Sequence, residues 1–292
     1  MAGATRTSFV IASRNRAAEL STTITRLLNT TNCRIIAVDN GSEDDSVAVV
    51  RRFAHQSAGR VSAIELKSNR GVVARNVGVA AATTPIIAFC DDDSWWEPSA
   101  ITNAEDLFDR HPTLGLLAAR TVVMPHRHDD PMVSVLADSA LGRRRDLPGP
   151  SILGFMTCAA VVRKAAFVAA GGFSELLHFY GEEQLLALDL AAVGWDLCYC
   201  PQLTAYHQPS EIRGSSSARQ ARELRNAVLT TWMRRPMWPC LRATGRLLRA
   251  AVRDADHARG ALEALVRLPS VMKLRRPLPD EVERALALIE SG

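Results

Sequence analysis

The sequence predicts an α/β protein, a mostly parallel sheet flanked by helices, with a helical extension at its C-terminus. Three observations carry that prediction. Between residues 7 and 91, short apolar runs alternate with segments of helical periodicity, the pattern of repeated strand–helix–strand units. Three of those runs stop in polar clusters, Ser13-Arg14-Asn15-Arg16, Asp39-Asn40-Gly41-Ser42 and Asp91-Asp92-Asp93. A doubly wound sheet brings such strand ends together along one edge, where its ligands bind. From about residue 214 a Gly/Ser stretch gives way to Arg-rich helical patterns.

The elements follow in order. TSFVIA (7–12) reads as a buried strand, and residues 17–30 place Leu20, Ile24, Leu27 and Leu28 on one helical face. Residues 33–40 form a second strand, and Ser42 is positioned to cap the next helix with Asp44 and Asp45 in its first turn. Residues 61–66 are a third strand, 71–82 a helix and 85–91 a fourth strand. Trp95 and Trp96 follow on an extended segment, which turns them to opposite sides, one of them toward the core. Residues 114–123, 152–164 and 195–201 read as further strands, and Leu185, Leu188 and Ala192 mark a helix that opens with Glu182 and Glu183. Residues 124–150 lack periodicity and carry several prolines, which predicts a lid, a binding loop or disorder.

Composition limits the function classes. The chain has 292 residues, is 47% hydrophobic and 23% charged, and is long enough for one large core with an extension. The expected division is 1–213 and 214–292. The net charge of +4 is spread along the chain and gives no argument for nucleic acid. Six cysteines, mostly in apolar runs and without a CxxC pair, read as small buried hydrophobes. His126 and His128 form a His-x-His pair, but on a loop they make a poor zinc site. The N-terminus lacks a signal-peptide apolar region, and no run reaches the roughly 18 apolar residues of a membrane span. The expected location is cytoplasmic, at most peripheral to a membrane.

The polar clusters carry the chemistry. Three carboxylates at one strand end repel one another unless a cation holds them, and a hard divalent ion carrying a phosphate does so with oxygen ligands. The competing reading of Asp91–Asp93 is a solvated turn before the helix that follows Pro98. Asp39 ends a strand, where it either accepts from a ligand or caps its own turn. Ser13, Arg14 and Arg16 occupy the first strand-to-helix loop, beside helical backbone N–H groups that favour anions. In the run Asn69 to Asn76, Gly71 permits a sharp turn and Arg75 sits one turn into a helix, within reach of a phosphate.

FVIASRNR, VDNGSEDDS, NRGVVARNVGVAAA, IIAFCDDD, GGFSE…FYGEEQLLALDLAAVGW and AYHQ, in that order, resemble the family 2 glycosyltransferases over roughly residues 7–230. The resemblance implies the GT-A fold, a Rossmann-like sheet, and sugar transfer with inversion from a nucleotide-diphosphate sugar, UDP by family habit. It also implies a divalent metal, Mn²⁺ or Mg²⁺. On this basis Asp93 binds the metal with Asp91 and His207. Asp91 and Asp92 contact the ribose, the sugar or the metal's waters. Asp39 receives the nucleotide base, and Ser13, Arg14, Arg16, Asn69, Arg75 and Asn76 line the donor pocket. Glu183 takes the place of the family's catalytic Asp, one methylene longer, as the base for the acceptor hydroxyl. That departure leaves room for a non-catalytic nucleotide-sugar-binding relative. A nucleotidyltransferase is disfavoured because SRNR lacks the glycines of its first loop. The acceptor is open among glycan, lipid-linked and small-molecule classes.

The extension has two readings. Trp232, Met233, Met237, Trp238 and Leu241, interleaved with Arg234, Arg235 and Arg242, resemble a segment lying on a membrane surface. Equally, the helices form a cap packed on the catalytic part.

Overall fold

The computed structural model describes residues 5–209 and 216–291. The first half runs β1 (Thr7–Ser13), α1 (Ala17–Thr30), β2 (Arg34–Asp39), α2 (Ser46–Gln56) and β3 (Val61–Glu65). A 3₁₀ turn, Gly71–Val73, then leads into α3 (Ala74–Ala81), β4 (Ile86–Cys90), β5 (Ser94–Trp96) and α4 (Ala100–Arg110). The second half continues with β6 (Leu114–Val123), β7 (His128–Asp129), α5 (Pro131–Ala137), β8 (Ala160–Arg163), α6 (Lys164–Ala169), α7 (Glu182–Ala192) and β9 (Asp196–His207). Four helices close the chain: α8 (Ser216–Arg234), α9 (Met237–Ala251), α10 (Ala255–Lys273) and α11 (Asp280–Ser291).

One sheet organises the molecule in the order β3-β2-β1-β4-β8-β6-β9-β5, with β7 on β6. Its first four strands are parallel. Along β1, Phe9 and Ile11 face one apolar layer and Val10 the other, as a period of two requires. β2 and β3 lie on one side of β1 and β4 on the other, so strand order reverses between β1 and β4. Such a reversal leaves a crevice beyond the strand ends. Register levels those ends: Ser13 pairs with Asp39, and Ile11 with Cys90.

Several expectations need correction. α2 starts at Ser46, not after Ser42, because Asp44 accepts from Ser46 N at 2.9 Å and from Ala17 N at 3.1 Å. Ser42 instead accepts from Asn15 N. Those bonds tie the first two loops together and use amides at the start of α1 that had been assigned to a phosphate. Residues 152–164 hold only a four-residue strand, β8, because a 3₁₀ turn at Thr157–Ala159 interrupts the run. Residues 124–150 are not a structureless lid. They carry β7 and α5, bury Leu136 and Leu147, and are held by the Arg144–Asp196 ion pair. β9 runs on past residue 201 to His207, and its last residues pair with the unforeseen β5.

The C-terminal helices pack on the α/β part. Val228, Leu229 and Met233 of α8 join Leu177 and Leu185 in one apolar cluster. Arg234 grips Asp189 of α7 with two bonds, and Arg235 pairs with Glu283 and Glu290 of α11. Met233, Arg234 and Arg235 are therefore buried and cannot belong to a membrane-facing segment. The proposed boundary at 213/214, with its Gly/Ser hinge, lies largely outside the described residues.

Candidate active site

The strand ends at the reversal build a compact acidic cluster. Asp91 Oδ1 accepts from Arg75 Nη2 at 2.5 Å, and its backbone N–H donates to Ser94 Oγ. Asp92 Oδ2 accepts from Ser13 Oγ at 2.6 Å, and its carbonyl accepts from Thr23 Oγ1. β5 folds back on β9 with Ser94 opposite His207, and Gln208 N donates to Asp93 O. This pairing sets His207 Nε2 3.4 Å from Asp93 Oδ1. Sequence distance hides that meeting, since only the β5–β9 ladder brings the two residues together.

Electrostatics follow from burial and charge. Burial pushes Asp92 up, Ser13 opposes this, and the Asp93 and Asp91 charges add to it, placing Asp92 at about 7. Burial would lower Arg75, but Asp91 more than offsets it, with help from Glu182 and Glu183, so the guanidinium stays protonated. Burial likewise pushes His207 down, yet Asp93 raises it above the ordinary imidazole value. Its Nδ1 is buried without a partner.

Asp39 caps its own turn, with Oδ2 accepting from Gly41 N and Ser42 N, while Oδ1 is buried with no partner. Gly41 is required here: at φ +72° an added Cβ would stand 2.7 Å from the Ser68 backbone. Arg14 bonds outward to Gly41 O and Glu43. Arg16 pairs with Glu19, and its charge acts on Asp92. Asn69 accepts from Gly71 N and from Asn40 Nδ2, so it shapes its own turn. Asn76, which had been placed in the donor pocket, bonds on both sides to the Phe173 backbone and is structural. Trp96 is fully buried, whereas Trp95 lies between layers, 3.8 Å below the Arg26 guanidinium and stacked on Tyr206.

Glu183 lies within reach of the Arg75 and Asp91 charges. It heads α7 and accepts from Thr157 Oγ1 at 3.0 Å. Burial raises both Glu182 and Glu183; the Glu183 charge adds to the rise of Glu182 and Asp91 to that of Glu183, while Arg75 opposes both. Glu183 borders a cavity of about 610 Å³ whose other walls include Met132, Leu136, Phe155, Leu286 and Ile289. The loop before α7 is strained: His178, Tyr180 and Gly181 all have φ between +61° and +79°. Buried Asn226 of α8 secures it, with Nδ2 2.6–2.9 Å from the carbonyls of Leu177, Phe179 and Tyr180. No sequence signal near residue 226 points to this. Asn40, by contrast, sits in the DNGS cluster and was within reach of sequence reading. Asn226→Ala is expected to lower turnover on the order of tenfold, because a loop shift of an ångström misplaces Glu183, while donor affinity stays unchanged. Steady-state kinetics with parallel donor titration checks this.

The sequence profile of Glycosyl transferase family 2 matches residues 8–169, more than half of the chain. The protein belongs to that family. The pre-mycofactocin glycosyltransferase of Mycobacterium tuberculosis is 30% identical over 220 residues, 70% of this chain and 43% of that protein. An uncharacterized glycosyltransferase of Nostoc sp. is 32% identical over 113 residues, 38% of this chain and 35% of that protein. The chain thus spans less than half the length of these relatives. Among solved structures, a Pyrobaculum calidifontis mannosyltransferase in complex with GDP-Man and Mn²⁺ superimposes with TM-score 0.62 at 17% identity. The match covers 98% of this chain and 86% of that one. TarS residues 1–349 of S. aureus, in complex with UDP-GlcNAc, gives 0.59 at 16% identity over 77% of this chain and 66% of that one. The fold of this family member is GT-A, and the first of these likenesses extends through its C-terminal helices.

Whether the cluster suits a divalent ion is a question of donor chemistry. Among the described residues, no group of three or more His, Cys, Asp and Glu side chains gathers as a ligand set. Asp93 Oδ1 and His207 Nε2 nonetheless converge at the spacing of two ligands on one cation. Mg²⁺-type ions are often held by one or two side chains, with substrate phosphates completing the shell. An imidazole ligand shifts the preference toward Mn²⁺. The residues fit such an ion.

Proposed function

We propose that this protein is a metal-dependent, inverting glycosyltransferase that moves a sugar from a nucleotide-diphosphate donor, UDP-linked by preference, to an acceptor hydroxyl. The observation that carries the reading is the meeting of Asp93 and His207 at the strand-order reversal, with Glu183 near enough for the Arg75 and Asp91 charges to act on it. Glu183, its pKa raised by burial, also borders an apolar cavity. A divalent ion held by Asp93 and His207, with Asp91 beside them, supplies charge neutralisation for the departing diphosphate. Asp39 offers its free Oδ1 to an N–H of the nucleotide base. Ser13 bonds Asp92 and the Arg16 charge acts on it, Asn69 and Arg14 hold the neighbouring turns, and Arg75 anchors Asp91.

Glu183 acts as the base. Its carboxylate takes the acceptor hydroxyl proton as that oxygen bonds to the anomeric carbon. The bond to the diphosphate breaks on the opposite face, and the nucleoside diphosphate leaves with the electron pair. The apolar walls around Glu183 favour an acceptor whose hydroxyl is carried on an apolar body, a lipid-linked or small-molecule acceptor over an extended glycan. Differential scanning fluorimetry with UDP, GDP and their sugars tests the donor reading. A melting rise is expected with a nucleotide plus Mn²⁺ that exceeds the rise with either alone, because a ligand binding only the folded state stabilises it. No rise with any nucleotide diphosphate would refute the proposal.

A further inference from the structure

Helix α9 carries three longitudinal stripes, which the transferase reaction does not require. Cys240, Ala243 and Leu247, spaced by three and four, are buried against the neighbouring helices. Met237, Leu241, Leu248 and Val252, with Trp238 beside them, form a second stripe that is 56–84% exposed. Arg242, Arg246, Arg249 and Arg253 make a third, also exposed, along one flank of the apolar stripe. At about 3.6 residues per turn these spacings keep each set on one face. A helix capping a domain needs only the first stripe and a polar remainder.

The apolar stripe does not end at α9. Leu248 borders a groove of about 420 Å³ shared with Leu262 and Leu265 of α10. Both leucines, and Val266 beside them, are more than 60% exposed. Contiguous exposed apolar surface of this kind marks an interaction site.

Charge selects the occupant. α9 contains no acidic residue, and neither its three arginines nor Arg253 just beyond its end forms an ion pair among the described residues. Glu283 and Glu290, the acids that share a cavity with Arg242, Arg246 and Arg249, are already paired to Arg235. A second copy docking through antiparallel α9 stripes would bring like flanks together, arginines against arginines, and like-charge juxtaposition at an interface is costly. An anionic bilayer satisfies both flanks. Apolar side chains enter the acyl boundary, Trp238 sits at the headgroup level, and arginines reach phosphates with their stems along the apolar surface.

We propose that the exposed face of α9, continued by α10, docks this protein on the surface of a membrane rich in anionic phospholipid. The proposal does not depend on the donor, metal or base assigned above, and its test reads no catalytic step. The full chain is floated with vesicles of phosphatidylcholine alone and with vesicles containing phosphatidylglycerol. Flotation is expected with the anionic vesicles, falling as salt is raised, and not with neutral ones. Trp238→Ser combined with Leu241→Ser, and separately Arg246→Glu combined with Arg249→Glu, are each expected to reduce flotation roughly tenfold. Both pairs are exposed, and melting curves verify folding. Equal recovery with neutral and anionic vesicles, or no flotation, overturns the proposal, and the wild-type comparison decides this even if a variant misfolds. Concentration-dependent dimerisation in sedimentation velocity, lost in the Trp238 variant without vesicle binding, overturns it in favour of self-association.

Discussion

Glu183→Gln is expected to cut sugar transfer roughly a thousandfold, within the range for removal of a general base, while leaving donor affinity within about twofold. The amide keeps the volume and still meets Thr157, which now bonds Glu183 Oε1 at 3.0 Å. It cannot accept the acceptor's proton. The pH profile gives a second reading. Burial raises the Glu183 pKa, so the protonated, inactive form persists to a higher pH than for an exposed glutamate. Wild-type kcat/KM is therefore expected to fall with decreasing pH through a point above about 4.3, the ordinary glutamate value. Glu183→Gln is expected to lack that acid limb. Transfer kept within tenfold of wild type, or an unchanged acid limb, would remove Glu183 from the role.

Asp93→Ala is expected to erase the Mn²⁺-dependent part of the donor-induced melting shift and to weaken donor binding on the order of a hundredfold. The loss is largest here because Asp93 brings a formal charge to the pair with His207. His207→Ala is expected to do less, removing a neutral ligand. The two variants separate the centres: Asp93→Ala fails at binding, Glu183→Gln at chemistry. Metal-dependent donor affinity retained in Asp93→Ala would sink this division.

The helical extension bears on the first of these results. Asn226 reaches from α8 to three carbonyls of the strained loop that precedes Glu182. Arg234 holds Asp189 on the same α7. The C-terminal helices therefore position the candidate base rather than merely cover it.

Residues 7–91 were legible because periodicity and strand-end polarity are local properties. Apolar runs of five to seven residues had to become β1, β2 and β4 once flanked by helical segments. The acids that end them, Asp39 and Asp91–Asp93, had to share an edge once the strands ran parallel. The order of the motifs also sufficed to indicate the family to which the profile match assigns the chain. Residues 124–164 were misread because their order comes from distant partners. Arg144 finds Asp196, and Ser151 bridges to Cys198. Asn76 was misassigned for a similar reason, since its partner Phe173 lies 97 residues away.

By itself, then, the sequence determined the α/β class and the acidic strand end, both set by side-chain type and short-range spacing. Only tertiary structure decided which residues meet. The β5–β9 ladder delivers His207 to Asp93, and Arg75 takes Asp91. Burial turns Glu183 into a carboxylate of raised pKa beside an apolar cavity. Distance and desolvation are properties of packed neighbours, and residues more than a hundred positions apart in the chain become neighbours only when the sheet closes.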